Sequence, residues 1–154
     1  MSKKAFTLIE MLVVVTIIGI LVSISVFGLL GARENARDAK RKSDLETLRS
    51  GLELYKSDCG VYPATANFIL SSATQLIGSG TPTSCAATNV YIAKVPTDTL
   101  STQRYSYVAG TGNTTYKICA ELEQTPSSPP ASGEMTNCSC SNNTPTCNYV
   151  VVSP

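Results

Sequence analysis

The chain has 154 residues and a mass of 16.3 kDa, room for one ordinary domain or a small domain with an appendage, and not for a multidomain enzyme. Twelve Lys+Arg against eleven Asp+Glu leave a formal charge of +1, so no bulk field gathers nucleic acid onto it. Histidine is absent, which removes the commonest general base and zinc ligand; with no recognisable frame of paired carboxylates or reactive thiols, no catalytic residues and no enzyme are expected.

Residues Met11 to Ala32 carry no charge, and all but Thr16, Gly19, Ser23, Ser25, Gly28 and Gly31 are apolar. At about 1.5 Å per residue this run reaches roughly 33 Å as a helix, enough to cross the hydrocarbon core of a bilayer. A small domain rarely encloses so long an apolar helix, so membrane insertion is expected. Lys3 and Lys4 precede the run and by the positive-inside rule hold the N-terminus in the cytoplasm, with the remainder outside. A cleaved secretory signal would also start this way, but Glu10 lies among Phe6-Thr7-Leu8-Ile9 and Met11-Leu12-Val13, where a carboxylate is costly without a partner. At head-group depth it would stay hydrated and favour the positive end of the helix dipole.

Lys3-Lys4-Ala5 followed by Phe6-Thr7-Leu8-Ile9-Glu10 and a long apolar helix resembles the class III leader and N-terminus of type IV pilins and of the pseudopilins of type II secretion. The resemblance implies a leader over residues 1–5, cut by a prepilin peptidase between Ala5 and Phe6, and N-methylation of Phe6. It also implies that the Glu10 carboxylate neutralises the free amine of the preceding subunit's Phe6, a buried pair that fixes register more than it adds stability. The helix over 6–32 would serve first as membrane anchor and then as the apolar core of a filament. Two departures are visible: Ala5 stands where the family usually has Gly, and no proline interrupts Met11 to Ala32.

An amphipathic continuation is expected over 33–57. Arg33 to Lys42 holds five basic and two acidic residues; without interleaved aromatics it reads as a solvated face or as inter-subunit salt bridges, and not as a nucleic-acid site. Leu45, Leu48, Leu52 and Tyr55 recur at steps of 3, 4 and 3, one apolar stripe that a sheet must cover. Asp44-Leu45, Leu52-Glu53-Leu54-Tyr55-Lys56 and Asp58-Cys59-Gly60-Val61-Tyr62-Pro63 extend the resemblance to the major pseudopilin. Gly60 and Pro63 end the helix, which would be about 75 Å long and would project as a spine.

Residues 58–154 read as a disulfide-rich head in which 27 of the 96 positions from Cys59 onward are Ser or Thr. A short helix is expected over Phe68 to Ile77 and strands over Tyr105–Val108, Tyr116–Leu122 and Asn148–Val152, the first two joined by a hairpin through Ala109–Thr115. The fold class is therefore α+β, a long N-terminal helix whose outer half packs on a small antiparallel sheet. Cys59, Cys85, Cys119, Cys138, Cys140 and Cys147 all fall in this head. An even count in an exported domain of this size implies three bridges among 15 pairings, with 59–85, 119–138 and 140–147 as the working assignment. Zinc on Cys138, Cys140 and Cys147 is disfavoured by irregular spacing and an oxidising location.

The resemblance associates a calcium site with the head, yet Asp98, Glu121, Glu123 and Glu134 are the only acidic residues after Asp58, and they match no family ligand set. No metal or other cofactor is expected on the residues themselves. Asn-x-Ser/Thr triplets at Asn113, Asn137 and Asn142 are the chance yield of a Ser/Thr-rich sequence. The expected function is a structural subunit of a type IV pilus-like filament, self-associating through its helix and served by the peptidase and inner-membrane assembly machinery. It would sit in the inner membrane as precursor and in a cell-surface or periplasmic filament once assembled. The alternatives are a pseudopilin of a type II secretion or DNA-uptake pseudopilus and, from another class, a membrane-anchored exported binding protein.

Overall fold

The computed structural model describes residues 6–66, 68–131, 133–141 and 147–154. The leader over 1–5 with Ala5, and the triplet at Asn142, lie outside the described residues. The first element is α1, Leu8–Cys59. It ends where Gly60 takes φ +80° and donates its N–H to the Lys56 carbonyl at 2.8 Å, a left-handed cap that glycine enters without a Cβ penalty. The chain divides into a unit ending at Ala36 and a second running Arg37–Pro154.

In the first unit the described aliphatic side chains from Leu8 to Leu30 are exposed. Its hydroxyls are satisfied within the helix: Thr16 Oγ1 donates to the Val13 carbonyl, Ser23 Oγ to the carbonyls of Gly19 and Ile20, and Ser25 Oγ to that of Leu21. The polar atoms are thus turned back onto the backbone, and what faces outward is almost wholly hydrocarbon.

In the second unit the helix buries Asp38, Arg41, Leu45, Leu48, Leu52, Tyr55 and Cys59, successive steps of 3 and 4 on one face. Two antiparallel sheets accompany it. One pairs β1 (Leu76–Ile77) with β2 (Val90–Ile92); the other has the order β3 (Ser106–Ala109), β4 (Tyr116–Ala120), β5 (Tyr149–Val152). Tyr107, Ile118 and Val151 lie opposite one another across the three strands and all three are buried with the helix leucines in one cluster. The period of two along each strand is what aims these alternate residues at the core. The β3–β4 loop closes through Gly112 and Asn113, both at positive φ, and a Gly110 N–H to Thr115 carbonyl bond of 2.8 Å.

The architecture is α+β, with three corrections to the sequence reading. Phe68 to Ile77 is not a helix: it begins as turns, with Ala73 N–H bonded to the Ile69 carbonyl, and ends as β1 against β2. Ser71, Ser72 and Thr74 favour turns over helix interiors, and Leu76 is pinned opposite Ile92, a nonlocal pairing. Among the described residues there are two sheets where one was expected, because β2 was not anticipated. Finally, the 33–42 segment is not uniformly a solvated face, since Asp38 and Arg41 are core residues.

Candidate functional site

The N-terminal element is built for contact with hydrocarbon or with other helices. Phe6 is exposed ahead of α1, and Glu10 turns back on the helix start: its Oε2 accepts the Thr7 backbone N–H at 2.8 Å and the Thr7 hydroxyl at 2.6 Å, while the Glu10 N–H reaches Thr7 Oγ1 at 3.3 Å. Thr7-x-x-Glu10 is therefore a capping box that satisfies backbone donors otherwise left over at the first turn. The sequence reading saw Glu10 as a charge needing a partner or as a hydrated residue favouring the helix dipole; the box was legible in the Thr7-x-x-Glu10 spacing. Leu45, Leu48, Leu52 and Tyr55 join the head core.

Arg41 organises a buried ionic node. Only 1% of its side chain is exposed. Nε donates to Asp98 Oδ2 at 2.7 Å and Nη2 to Asp98 Oδ1 at 3.1 Å, a bidentate clasp; Nη1 donates to Asp38 Oδ1 at 2.7 Å and to Glu123 Oε1 at 2.9 Å. Asp38 in turn accepts the backbone N–H groups of Glu123 and Gln124, both at 2.9 Å. Glu123 also accepts from Arg37 Nε at 2.6 Å. Burial by itself pulls the Arg41 pKa down, but the bonds and charge of Asp98, with Asp38 and Glu123, outweigh it and raise the value. Arg37 holds the Glu123 carboxyl below the usual carboxylate range. The node joins the helix, the 98–100 turn and the segment after β4.

A second polar anchor is Glu53, which accepts the hydroxyls of Tyr62 and Tyr116 at 3.0–3.1 Å. Tyr105 donates to Asp44 Oδ2 at 2.8 Å and Tyr107 to the Pro63 carbonyl at 2.6 Å. Each of these four phenols has an acceptor, and through them the sheet and the turn after the helix are tied to α1 and to one another.

The bridges are Cys59–Cys85, Cys119–Cys138 and Cys140–Cys147. The first ties the helix end to the turn before β2. The other two lie in one buried cluster, lined by Met135 and Val150.

The carboxylates do not suit the calcium that the family resemblance implies. That ion needs six or more hard oxygens converging on one point. Asp98 and Glu123 are already committed to guanidinium groups. Asp58 accepts the Tyr91 hydroxyl, and exposed Glu134 accepts the Ala131 N–H. Among the described residues no three carboxylates bring their oxygens together as a ligand set.

Comparison with known proteins gives two family matches. The profile described as "Prokaryotic N-terminal methylation motif" covers residues 1–31, and "Type II secretion system (T2SS), protein G" covers residues 28–124. Similar relatives include the "Type II secretion system core protein G" of Pectobacterium carotovorum subsp. carotovorum, 35% identical over 62% of this chain and 61% of that protein. That of Vibrio cholerae is 45% identical over 42% of this chain and 44% of its own length. That of Pseudomonas aeruginosa is 30% identical over 70% and 75%. The matched part of the chain thus spans less than two thirds of the first two relatives. No solved structure matches.

Proposed function

Because the chain belongs to the type II secretion system protein G family, we propose that it is a pseudopilin, the structural subunit of a short periplasmic pseudopilus that serves secretion. It is a structural protein and not an enzyme. The observation that carries the reading is the exposed hydrocarbon surface of α1 lying within the match to the N-terminal methylation motif over residues 1–31. An anchor needs only the length of this helix; retention of the helix behind the cleavage point gives the same surface a second use, packing against copies of itself. The family match favours this over the long pilus, which had been the first expectation, and over a monomeric anchored binding protein.

In this reading a prepilin peptidase cuts between Ala5 and Phe6, Phe6 is N-methylated, and the precursor waits in the inner membrane with its head outside. The assembly partners are other copies of the chain and the inner-membrane secretion machinery. The head works without calcium, Arg41 supplying the internal cation for the acidic groups that could otherwise attract one. Calcium chelation is expected to leave the melting temperature of the full chain in detergent unchanged; a fall on chelation that calcium restores overturns this point.

The test of function is deletion of the gene in the native host with two readouts. Intact mass and N-terminal sequence of the wild-type protein are expected to start at N-methylated Phe6. The deletion strain is expected to retain in its periplasm proteins that the parent releases to the medium. A start at Met1 or Ser2 overturns the maturation step. Normal release together with loss of long surface fibres returns the assignment to a pilus.

A further inference from the structure

The Cys59–Cys85 bridge has two unlike ends. Cys59 is the last residue of α1, so a negative charge on its sulfur would face the carbonyl end of the helix dipole, with the Asp58 carboxylate as chain neighbour. Its polar neighbours are engaged elsewhere. The Tyr91 hydroxyl, 3.9 Å from Cys59 Sγ, gives its proton to Asp58 Oδ2 at 3.0 Å, and the Lys56 ammonium lies over the ring of Tyr62 and bonds its hydroxyl. Cys85 Sγ, by contrast, accepts the Ser79 backbone N–H at 3.2 Å, and the Ser79 hydroxyl lies 3.2 Å from the same sulfur. That hydroxyl donates to the Thr81 carbonyl at 2.8 Å and can turn its proton to a sulfur that becomes charged. Among the described residues no other cysteine sulfur accepts a backbone N–H. The loop holds Ser79 against Cys85 by its own bonds: Gly78 N–H to the Asn89 carbonyl at 3.0 Å, and Gly80 N–H to the Cys85 carbonyl and Cys85 N–H to the Pro82 carbonyl, both at 2.8 Å.

We infer that Cys59 is a modification site, thiolated by a low-molecular-weight thiol with Cys85 as the leaving group. The external thiolate attacks Cys59 Sγ; the new bond joins its sulfur to Cys59, the Cys59–Cys85 bond breaks, and the electron pair stays on Cys85 Sγ as a thiolate. One disulfide is exchanged for another, and the thiol is the only co-reactant. Exchange proceeds faster when the expelled sulfur carries negative charge well, and a thiolate that accepts hydrogen bonds carries it better than one at the carbonyl end of a helix. Access points the same way. Cys85 is 0% exposed, whereas Cys59 is 7% exposed and precedes the exposed residues Gly60 and Val61. Return attack by Cys85 on Cys59 restores the bridge and releases the thiol, so the modification is reversible. While it lasts, the end of α1 is untied from the loop before β2, whose own bonds and β1–β2 pairing do not pass through the bridge.

The experiment exposes the oxidised full chain in detergent to reduced glutathione at neutral pH, quenches the exchange in acid, digests with pepsin and maps the adduct by mass. Glutathione on Cys59 with Cys85 as the free thiol is expected to exceed the reverse arrangement by about tenfold. Ser79→Ala is expected to keep Cys59 as the modified residue and to slow the modification roughly threefold, because the leaving sulfur keeps the backbone donor and loses the hydroxyl. Glutathione on Cys85, or an even split between the two sulfurs, overturns the inference. So does a Cys59–Cys85 bridge that takes up no glutathione, or a Ser79→Ala chain modified at or above the parental rate.

Discussion

Replacing Arg41 by methionine keeps most of the buried stem and removes the guanidinium, leaving Asp38 and Asp98 inside the head without their cation. A buried pair broken from one side costs about 3–5 kcal/mol, far more than an exposed pair contributes. Arg41→Met is therefore expected to lower the unfolding free energy by that amount in denaturant titration, whereas loss of the half-exposed Arg49–Glu46 contact should lie within measurement error. Glu123 carries a pH dependence. Its folded pKa lies below the ordinary carboxylate value because Arg37 and Arg41 favour the charged form. Its contribution is then full above the unfolded value of about 4.3 and is lost as pH falls through the lower folded one. Glu123→Gln should make stability less steep in pH below about 4.3, with neutral-pH behaviour set by the lost ion pairs; an unchanged acid slope would remove Glu123 from this role. The leucine stripe was legible in the sequence because apolar residues at helical spacing have one reading. Asp38 and Arg41 continue that stripe by one more pair of steps, yet their charge reads as solvent-facing until Asp98 and Glu123 arrive from 57 and 82 residues away.

At the scale of elements, the contact between α1 and β2 depends on a missing side chain. A Cβ at Gly51 would stand 2.2 Å from Ile92 Cγ1 and 3.3 Å from the Tyr91 carbonyl oxygen. Two effects of Gly51→Ala oppose each other. Helix propensity favours alanine by about 1 kcal/mol, while overpacking a full core typically costs about 1–3 kcal/mol. The clash involves side-chain carbons of Ile92, itself buried, so the second effect wins and a net loss of roughly 1 kcal/mol is expected in thermal or denaturant unfolding. The companion Gly51→Ala with Ile92→Val should recover part of it; full tolerance of the single change would mean that α1 and β2 are not held this closely. This pairing also explains the misreading of Phe68 to Ile77. Nothing in those ten residues announces a strand, because β1 has two residues and its partner lies beyond a bridged loop. The longer strands β3 and β4 were legible through alternation and a glycine-containing hairpin, and β5 through its run of valines, which are local signals.

For the molecule as a whole, the proposed function asks α1 to satisfy two apolar environments in turn, and the two demands can be separated by where a charge is placed. The uncharged run from Met11 to Ala32 is about 33 Å long as a helix, close to the roughly 30 Å of a hydrocarbon core. With that run centred in the bilayer, Glu10 falls at the boundary, where its capping box with Thr7 already satisfies two of its contacts. Membrane residence therefore does not depend on Glu10. A charge at the centre of the run differs in kind: Leu21→Arg costs about 2.5–3.5 kcal/mol on insertion and also puts a cation into any helix-packed filament core. Leu21→Arg is expected to lose the chain from carbonate-washed membranes. Glu10→Ala is expected to remain membrane-bound at parental levels and to fail at assembly, seen as loss of cross-linked multimers and of secretion. The two phenotypes together distinguish an assembly register from an anchor. If Glu10→Ala assembles normally, the carboxylate is a helix cap and no more, and register must come from contacts between heads.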